Sequence, residues 1–417
     1  MPGAFVLTLG CPKNEADSDS FQACLRAAGW ELIDDPEDAD LLLLNTCAFI
    51  QPAVEESMEA IGEALDWKSR KRSRKLVLAG CLPGRFHDDG SGGLSDFDLI
   101  IGPADTGGLL DWLGLPPESV PGVYGRRHLR YLKVSEGCSN RCAYCTIPLI
   151  RGPRRDRSTG EILRDAAMMV HQGAGEIGLV GQDTGAWSED GGIHRLVGTL
   201  AEEYPDVWFR LYYLHPAHIV PGLAGLMTEH GNVMPYLDVP VQHCSDRILK
   251  RMGRGYGRAL LEELFTGFDD SVADLAVRTT VIVGYPGETE NEFLELMGFL
   301  SRHRCIRTVA AFPFWPEEGT TEYFRIRPGE LPSPETVQSR LSQVGDAADA
   351  HYRDWGERLE DRVLQVMVDS PGTGHTVFDA PLVDGTCFLE SDEPEGTVLE
   401  CRITDYEGPD LTAEVIA

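Results

Sequence analysis

Long apolar runs are missing from this chain of 417 residues; none approaches the ~18 residues that a membrane-spanning helix needs. Basic charge is scarce as well. The chain has 37 Lys and Arg against 67 Asp and Glu, a formal net charge of −30. Phosphate contacts are supplied by Lys and Arg, so this balance argues against a general nucleic-acid binder and would attract a basic partner. The opening MPGAFVLTLG has no charged leader, no long apolar segment and no small-residue cleavage site, so a cytoplasmic location is expected. Repeats of solenoid period and low-complexity tracts are absent too. Cysteine is not scarce. Eleven of them, an odd number in a large chain without an export signal, point to reduced thiols with metal or catalytic roles rather than a disulfide framework.

The length suggests two or three domains. Near the start, FVLTLGC, DLLLLNTC and KLVLAGC are short Val- and Leu-rich runs without polar alternation, the pattern of strands buried on both faces of a parallel sheet. A helix is predicted between the first two, N-capped by Asp17 or Ser18, with Phe21, Cys24, Leu25 and Ala28 on one face. PAVEESMEAIGEAL, with Pro52 at its start, is predicted as a second helix. Each run ends in a cysteine. Ligands of parallel α/β sheets lie outside the carboxyl ends of the strands, so Cys11, Cys47 and Cys81 are expected to converge at one edge. After a Gly- and Pro-rich connector, roughly residues 102 to 125, six strand-like segments (YLKVSEG, EIGLVGQD, VWFRLYYL, YLDVPVQ, RTTVIVGYPG, RTVAAFPF) alternate with helix-like ones. From about residue 355 the texture is short strands and turns. The fold class is therefore α/β: an N-terminal parallel α/β domain (1–120), a central partial (β/α)6 barrel (125–350) with functional residues at its strands' carboxyl ends, and a small C-terminal all-β barrel (355–417).

The segment EGCSNRCAYCTIPLIRG places Cys138, Cys142 and Cys145 in the spacing C-x3-C-x2-C directly after the first strand of the barrel. Three thiolates on one loop can grip one face of a 4Fe-4S cluster and leave its fourth iron open. The plainer alternatives are a zinc knuckle lacking its fourth ligand or unrelated core thiols. This spacing resembles the radical S-adenosylmethionine (SAM) superfamily. The resemblance implies that the open iron chelates SAM. It also implies cofactor contacts from Tyr144 near the adenine, from Gly181, Gln182 and Asp183 after the second strand, from Gln242 after the fourth, and from the Gly284 to Gly287 turn (GYPG) after the fifth. Taken singly, GQD or GYPG reads as a tight turn. The Cys11, Cys47 and Cys81 trio, with its matching strand-end positions, is read as ligating a second 4Fe-4S cluster. Cys24, Cys244, Cys305, Cys387 and Cys401 share no spacing and are expected to be core thiols. His215, His218 and His243 are expected to be hydrogen-bonded structural residues.

Two clusters followed by a small barrel resemble the methylthiotransferases, in which an N-terminal domain precedes a radical SAM barrel and a TRAM domain. The strings LGCPKNEADSD, LLNTCAFIQPAVEES, YLKVSEGCSNRCAYCTIPLIRG, YLDVPVQH, GYPGETENEF, EEGT and FDAPLVDG are closest to the RimO type. The chain departs from that type at Phe314 and Trp315, where Tyr-Ser is usual, and at Asp19, where Glu is usual. The resemblance implies transfer of a methylthio group to the β-carbon of an aspartate of ribosomal small-subunit protein twelve. It implies one SAM as methyl donor, a second as radical source, and an external reductant. The alternative is a MiaB-type enzyme acting on tRNA adenosine. Against tRNA stand fifteen acidic residues and only three arginines from residue 355 onward. WKSRKRSRK and GPRRDR are basic stretches that would suit RNA, or a solvated helix end and a loop. A non-catalytic iron-sulfur or zinc module would need the cysteines but not Gln182, Asp183, Gln242 or GYPG.

Overall fold

The computed structural model describes residues 1–86, 96–119, 122–125, 127–272, 274–381 and 383–416. Leu382 of the FDAPLVDG string, and residues 120 and 121 of the connector, lie outside these. Five parallel strands form the first sheet: β1 (Gly3–Thr8), β2 (Glu31–Leu32), β3 (Leu41–Thr46), β4 (Lys75–Gly80) and β5 (Leu99–Ile100), in the order β2-β1-β3-β4-β5. Every residue of β3 is buried, in keeping with its unbroken Leu run. The three strands read from sequence lie side by side at the centre; β2 and β5 are short edge strands.

The first helix differs from its predicted start. It spans Pro12–Ala27 with Cys11 as N-cap, so Asp17 and Ser18 lie inside it. Proline at the first helical position is preorganised for that start and lacks the N–H that would go unpaired there. Asp17 caps nothing; its carboxylate is buried against Arg151 and Lys133 of the barrel. Phe21, Cys24 and Leu25 enter the core of the first domain as expected, whereas Ala28 is half-buried just past the helix end. The second helix runs Gln51–Ser69 with Pro52 in its first turn. A short helix, Thr106–Leu113, interrupts the predicted connector. The Asp105 side chain accepts from Gly108 N at 2.9 Å, and Leu109 and Leu110 are buried against the first sheet.

The central domain contains β6 (Leu129–Lys133), β7 (Ser135–Glu136), β8 (Arg155–Asp156), β9 (Glu176–Val180), β10 (Trp208–Leu211), β11 (Val233–Asp238), β12 (Ala276–Val283) and β13 (Ile306–Pro313). Strands β6 and β9 to β13 form an open parallel sheet in sequence order, a partial barrel with helices between strands. Strands β7 and β8 pair as an antiparallel ribbon. Ser158 opens the helix Thr159–His171, and Thr289 opens Glu290–Leu300, each with a capping box.

The long helix Pro334–Leu359 leads to a closed barrel of β14 (Val363–Ser370), β15 (Thr373–Thr376), β16 (Cys387–Leu389), β17 (Val398–Glu407) and β18 (Asp410–Val415), in the order β14-β15-β16-β18-β17. It packs under the amino ends of the central strands: Trp208 and Ala276, the first residues of β10 and β12, share a core with Leu364, Val366 and Phe378. Among the described residues no helix is long and apolar enough to cross a membrane.

Candidate active site: two thiol trios at a domain junction

Cys47 and Cys81 follow directly on β3 and β4, and Cys11 stands three residues beyond β1, so neighbouring strands deliver all three to one sheet edge. Gly10 makes this approach possible. At φ +99° it adopts a backbone that favours glycine, and a Cβ there would lie 2.7 Å from Cys47 Cβ and 2.9 Å from its Sγ. The Asn14 side chain touches the whole edge. Its Nδ2 donates to Leu9 O (2.8 Å) and Thr46 O (3.0 Å), and its Oδ1 lies 3.7 Å from Cys81 Sγ. Burial, with Cys11 and Cys81 close by, pushes the Cys47 thiol up to about 11. Burial also raises Cys81, against the opposing charge of Arg151.

The second trio lies on the loop closed by the β7–β8 ribbon. Gly137 (φ +76°) allows that closure, since a Cβ would sit 2.5 Å from Pro153 O and 2.6 Å from Gly152 O. Cys138 N donates to Gly152 O at 3.1 Å. Ala143 N donates to Met252 O (2.8 Å), tying the loop to the helix Asp246–Met252, and the buried Arg254 beyond it places Nη1 3.4 Å from both Cys142 Sγ and Tyr144 Oη. Burial raises Cys138, and burial together with the neighbouring thiols pushes Cys145 up to about 12. Desolvated thiols of this kind become thiolates readily only when a metal supplies positive charge.

The residues expected to meet SAM surround this loop. Tyr144 stands edge-on to Tyr285, the fully buried second residue of GYPG, with ring centroids 6.3 Å apart. Gly284 and Gly287, both at φ +74°, shape that turn. Gln242 is a buried non-glycine residue at φ +67°, held by backbone bonds to Thr280 O and from Ile282 N; such strain, about 1–3 kcal/mol, is characteristic of functional sites. After β9, a Cβ on Gly181 would lie 2.8 Å from Ser135 Oγ. Gln182 Oε1, Asp183 Oδ1, Thr184 Oγ1 and Ser135 Oγ are buried without a hydrogen-bond partner. Four orphaned polar atoms at one strand-end region, each worth about 1–3 kcal/mol when unpaired, fit a polar ligand.

Asp183 Oδ2 accepts from Asn140 (2.7 Å) and meets His218 Nδ1 at 2.6 Å. Burial works against the charged carboxylate, but these hydrogen bonds hold it low. Burial and the nearby Arg254 depress His215 to about 3, leaving it neutral. Asp183, His215 and His218 offer ligand atoms within 4.8 Å of one another, the one such group among the described residues. Neither thiol trio is that tight, as suits thiolates bound to different irons of a cluster rather than to a single ion. His243 is structural: its Nδ1 accepts from Cys244 N and Ser245 N, and its Nε2 meets Glu288 at 3.1 Å.

Direct contacts join the first domain to the central one beside the two trios. Thr146, next to Cys145, donates its hydroxyl to Phe49 O (3.0 Å), two residues past Cys47. Lys13 Nζ lies 3.2 Å above the ring of Tyr213, two residues past β10. Arg130 and Asp19, both buried, pair at 2.8 Å. Arg151 bonds to Asn14, Asp17 and Glu136. Asn14, Arg151 and Arg254 were not singled out by sequence reasoning. Arg254 carries a readable signal, since it stands between Gly253 and Gly255, both at positive φ.

The other thiols are core residues: Cys24 in the first domain, Cys244 and Cys305 in the central one, Cys387 and Cys401 in the last. The basic stretches are largely neutralised. Lys68 and Lys75 pair with Asp98, Lys71 with Asp40, Arg154 with Asp156 and Arg157 with Asp165.

Residues 4–102 match the family model described as Uncharacterized protein family UPF0004, residues 132–300 the Radical SAM superfamily, and residues 362–416 the TRAM domain. The cobalamin-binding radical SAM methyltransferase TsrM from Kitasatospora setae shares the fold, with a TM-score of 0.58 at 13% identity over 85% of this chain and 86% of that one. Similarity in sequence extends end to end. The ribosomal protein uS12 methylthiotransferase RimO of Desulfotalea psychrophila is 36% identical over 99% of both chains. That of Desulforudis audaxviator is 36% identical over 99% of this chain and 96% of its own. With all three domains matched and this identity sustained over the full length, the chain belongs to the RimO family of radical SAM methylthiotransferases.

Proposed function

We propose that this protein adds a methylthio group to the β-carbon of an aspartate of ribosomal small-subunit protein twelve, acting in the cytoplasm with an electron-donating reductant. In this reading residues 1–120 carry an auxiliary 4Fe-4S cluster on Cys11, Cys47 and Cys81. Residues 125–350 carry a second cluster on Cys138, Cys142 and Cys145, and residues 355–417 form the TRAM barrel. When bound, the clusters and SAM supply a 5′-deoxyadenosyl radical and a methylated sulfur for transfer. The donor sets fit the groups: three thiols apiece leave one iron open, and the orphaned oxygens of Gln182, Asp183, Thr184 and Ser135 offer hydrogen-bond acceptors and donors to SAM.

The chain's own residues then bind and orient. Tyr144 and Tyr285 offer an apolar edge to an adenine; Gln182, Asp183, Gln242 and the Gly284 to Gly287 turn offer polar and backbone groups to the rest of SAM. Arg254 holds the Cys142 loop, and the Phe49–Thr146 bond fixes the spacing between the Cys47 and Cys145 loops, across which a substrate side chain has to reach both sites. That junction of two thiol trios is the observation that carries the proposal.

Charge favours a basic protein over tRNA. Of the fifteen C-terminal acids, Asp369, Asp379 and Asp384 are used in internal ion pairs, while Glu390, Asp392, Glu393, Glu395, Glu400, Asp405, Glu407 and Glu414 remain exposed. Such a surface repels phosphate. The test is mass spectrometry after the reduced, two-cluster protein and SAM are given both a ribosomal small-subunit fraction and bulk tRNA. A methylthio-sized gain on an aspartate of protein twelve is expected; the same gain on tRNA adenosine instead would overturn the substrate assignment and leave the chemistry.

A further inference from the structure

Arg151 reaches toward both thiol trios from a fully buried position, its side chain only 1% exposed. Its Nη2 lies 3.4 Å from Cys81 Sγ, 2.7 Å from Asn14 Oδ1 and 2.9 Å from Asp17 Oδ2. Its Nη1 lies 2.9 Å from Glu136 Oε1, two residues before Cys138. Lys133 closes the web by pairing with Asp17 and, at 2.8 Å, with Glu136. Two cations and two carboxylates balance, which lets the guanidinium stay charged without water.

A plain interdomain ion pair would need only Asp17, since Glu136 belongs to the same domain as Arg151. The contact with sulfur is additional, and it has a counterpart: Arg254 Nη1 also lies 3.4 Å from a thiol of the other trio, Cys142. A positive charge and an N–H directed at a ligand sulfur favour the reduced, more negative form of an iron-sulfur cluster, because its potential depends on net charge and on hydrogen bonds to sulfur. The planar fork of arginine can hold the sulfur with one nitrogen and Glu136 with the other; a lysine cannot do both at these positions.

We propose that Arg151 is a positioning residue that raises the reduction potential of the cluster on Cys11, Cys47 and Cys81 and holds that cluster in register with the Cys138 loop. This rests on the ligand assignment made under Proposed function. Replacing Cys138, Cys142 and Cys145 by alanine in the full chain leaves one trio able to take a cluster after anaerobic reconstitution. In that background, potentiometric titration followed by electron paramagnetic resonance should show a lower midpoint for Arg151→Gln, a smaller shift in the same direction for Arg151→Lys, and no shift for Arg254→Gln. A midpoint unmoved by Arg151→Gln at full iron content overturns the inference; should that variant not fold, an unmoved midpoint in Arg151→Lys does the same. No iron uptake by the triple-alanine chain would instead overturn the ligand assignment. With all six cysteines present, Arg151→Lys should yield several-fold more 5′-deoxyadenosine per methylthio group transferred. An unchanged ratio refutes the positioning role.

Discussion

His375 fastens the C-terminal barrel to the central domain, and its charge makes that attachment depend on pH. The imidazole is 1% exposed, with Nε2 3.0 Å from Glu176 Oε2 and Nδ1 2.9 Å from both oxygens of Asp369. Burial opposes protonation, but the two carboxylates outweigh it and raise the pKa from 6.5 to about 9. That gap corresponds to roughly 3 kcal/mol favouring the folded state. Because the folded pKa lies above the unfolded one, the stabilisation is complete below about pH 6 and is lost as pH rises through about 9: most of it remains at pH 7 and little of it at pH 9. His375→Gln should therefore destabilise the protein by about 2–3 kcal/mol near pH 7 and by almost nothing at about pH 10. Urea unfolding of both proteins across this range, followed by circular dichroism, tests the expectation. Raised thiol and tyrosine pKa values are common to both, so the difference isolates His375. A difference that stays constant from neutral to alkaline pH would refute the reasoning.

Gly137→Ala should expel the first thiol from its loop. At φ +76° the new Cβ would meet backbone carbonyls on three residues, and iron bound per chain after reconstitution should fall by about half while the other trio stays loaded. Arg130→Ala leaves Asp19 buried beside only Arg127, 3.6 Å away, so the docking of the first domain should weaken by about 3 kcal/mol or more, measurable as earlier urea unfolding and faster proteolysis at the junction. Replacing Glu393, Glu395 and Glu407 together by Gln should lower kcat/KM for a basic ribosomal substrate several-fold at low salt, with the difference fading at high salt. SAM cleavage without substrate should not change.

Strand-end logic was the legible part of the sequence. FVLTLGC, DLLLLNTC and KLVLAGC correspond to β1, β3 and β4; β3 and all of β4 but Lys75 are buried, whereas β1 is only half-buried outside Ala4, and the cysteines mark where each run leaves the sheet. The helix-like segments between the strands were similarly local, although their capping boxes at Ser158 and Thr289 were not singled out. The start of the first helix was not. Asp17 and Ser18 have the side chains of N-caps, and only the placement of Lys133 and Arg151, more than a hundred residues away, turns Asp17 into an interface anchor. Arg151 and Asn14 lie inside quoted motifs, yet their contacts cross a domain boundary and leave no periodic trace. The acidic composition of the C-terminal barrel was plain in the sequence; that Asp369, Asp379 and Asp384 face inward, to His375, Arg307 and Arg278, required the fold.

The central claim, that two three-thiol sites cooperate in one reaction, is tested most directly by comparing Cys142→Ala with Cys47→Ala under SAM and reductant, measuring 5′-deoxyadenosine and methylthiolated protein twelve in the same samples. Cys142→Ala should lose both products. Cys47→Ala should keep SAM cleavage and lose methylthiolation; a Cys47→Ala protein that still methylthiolates its substrate would contradict the account.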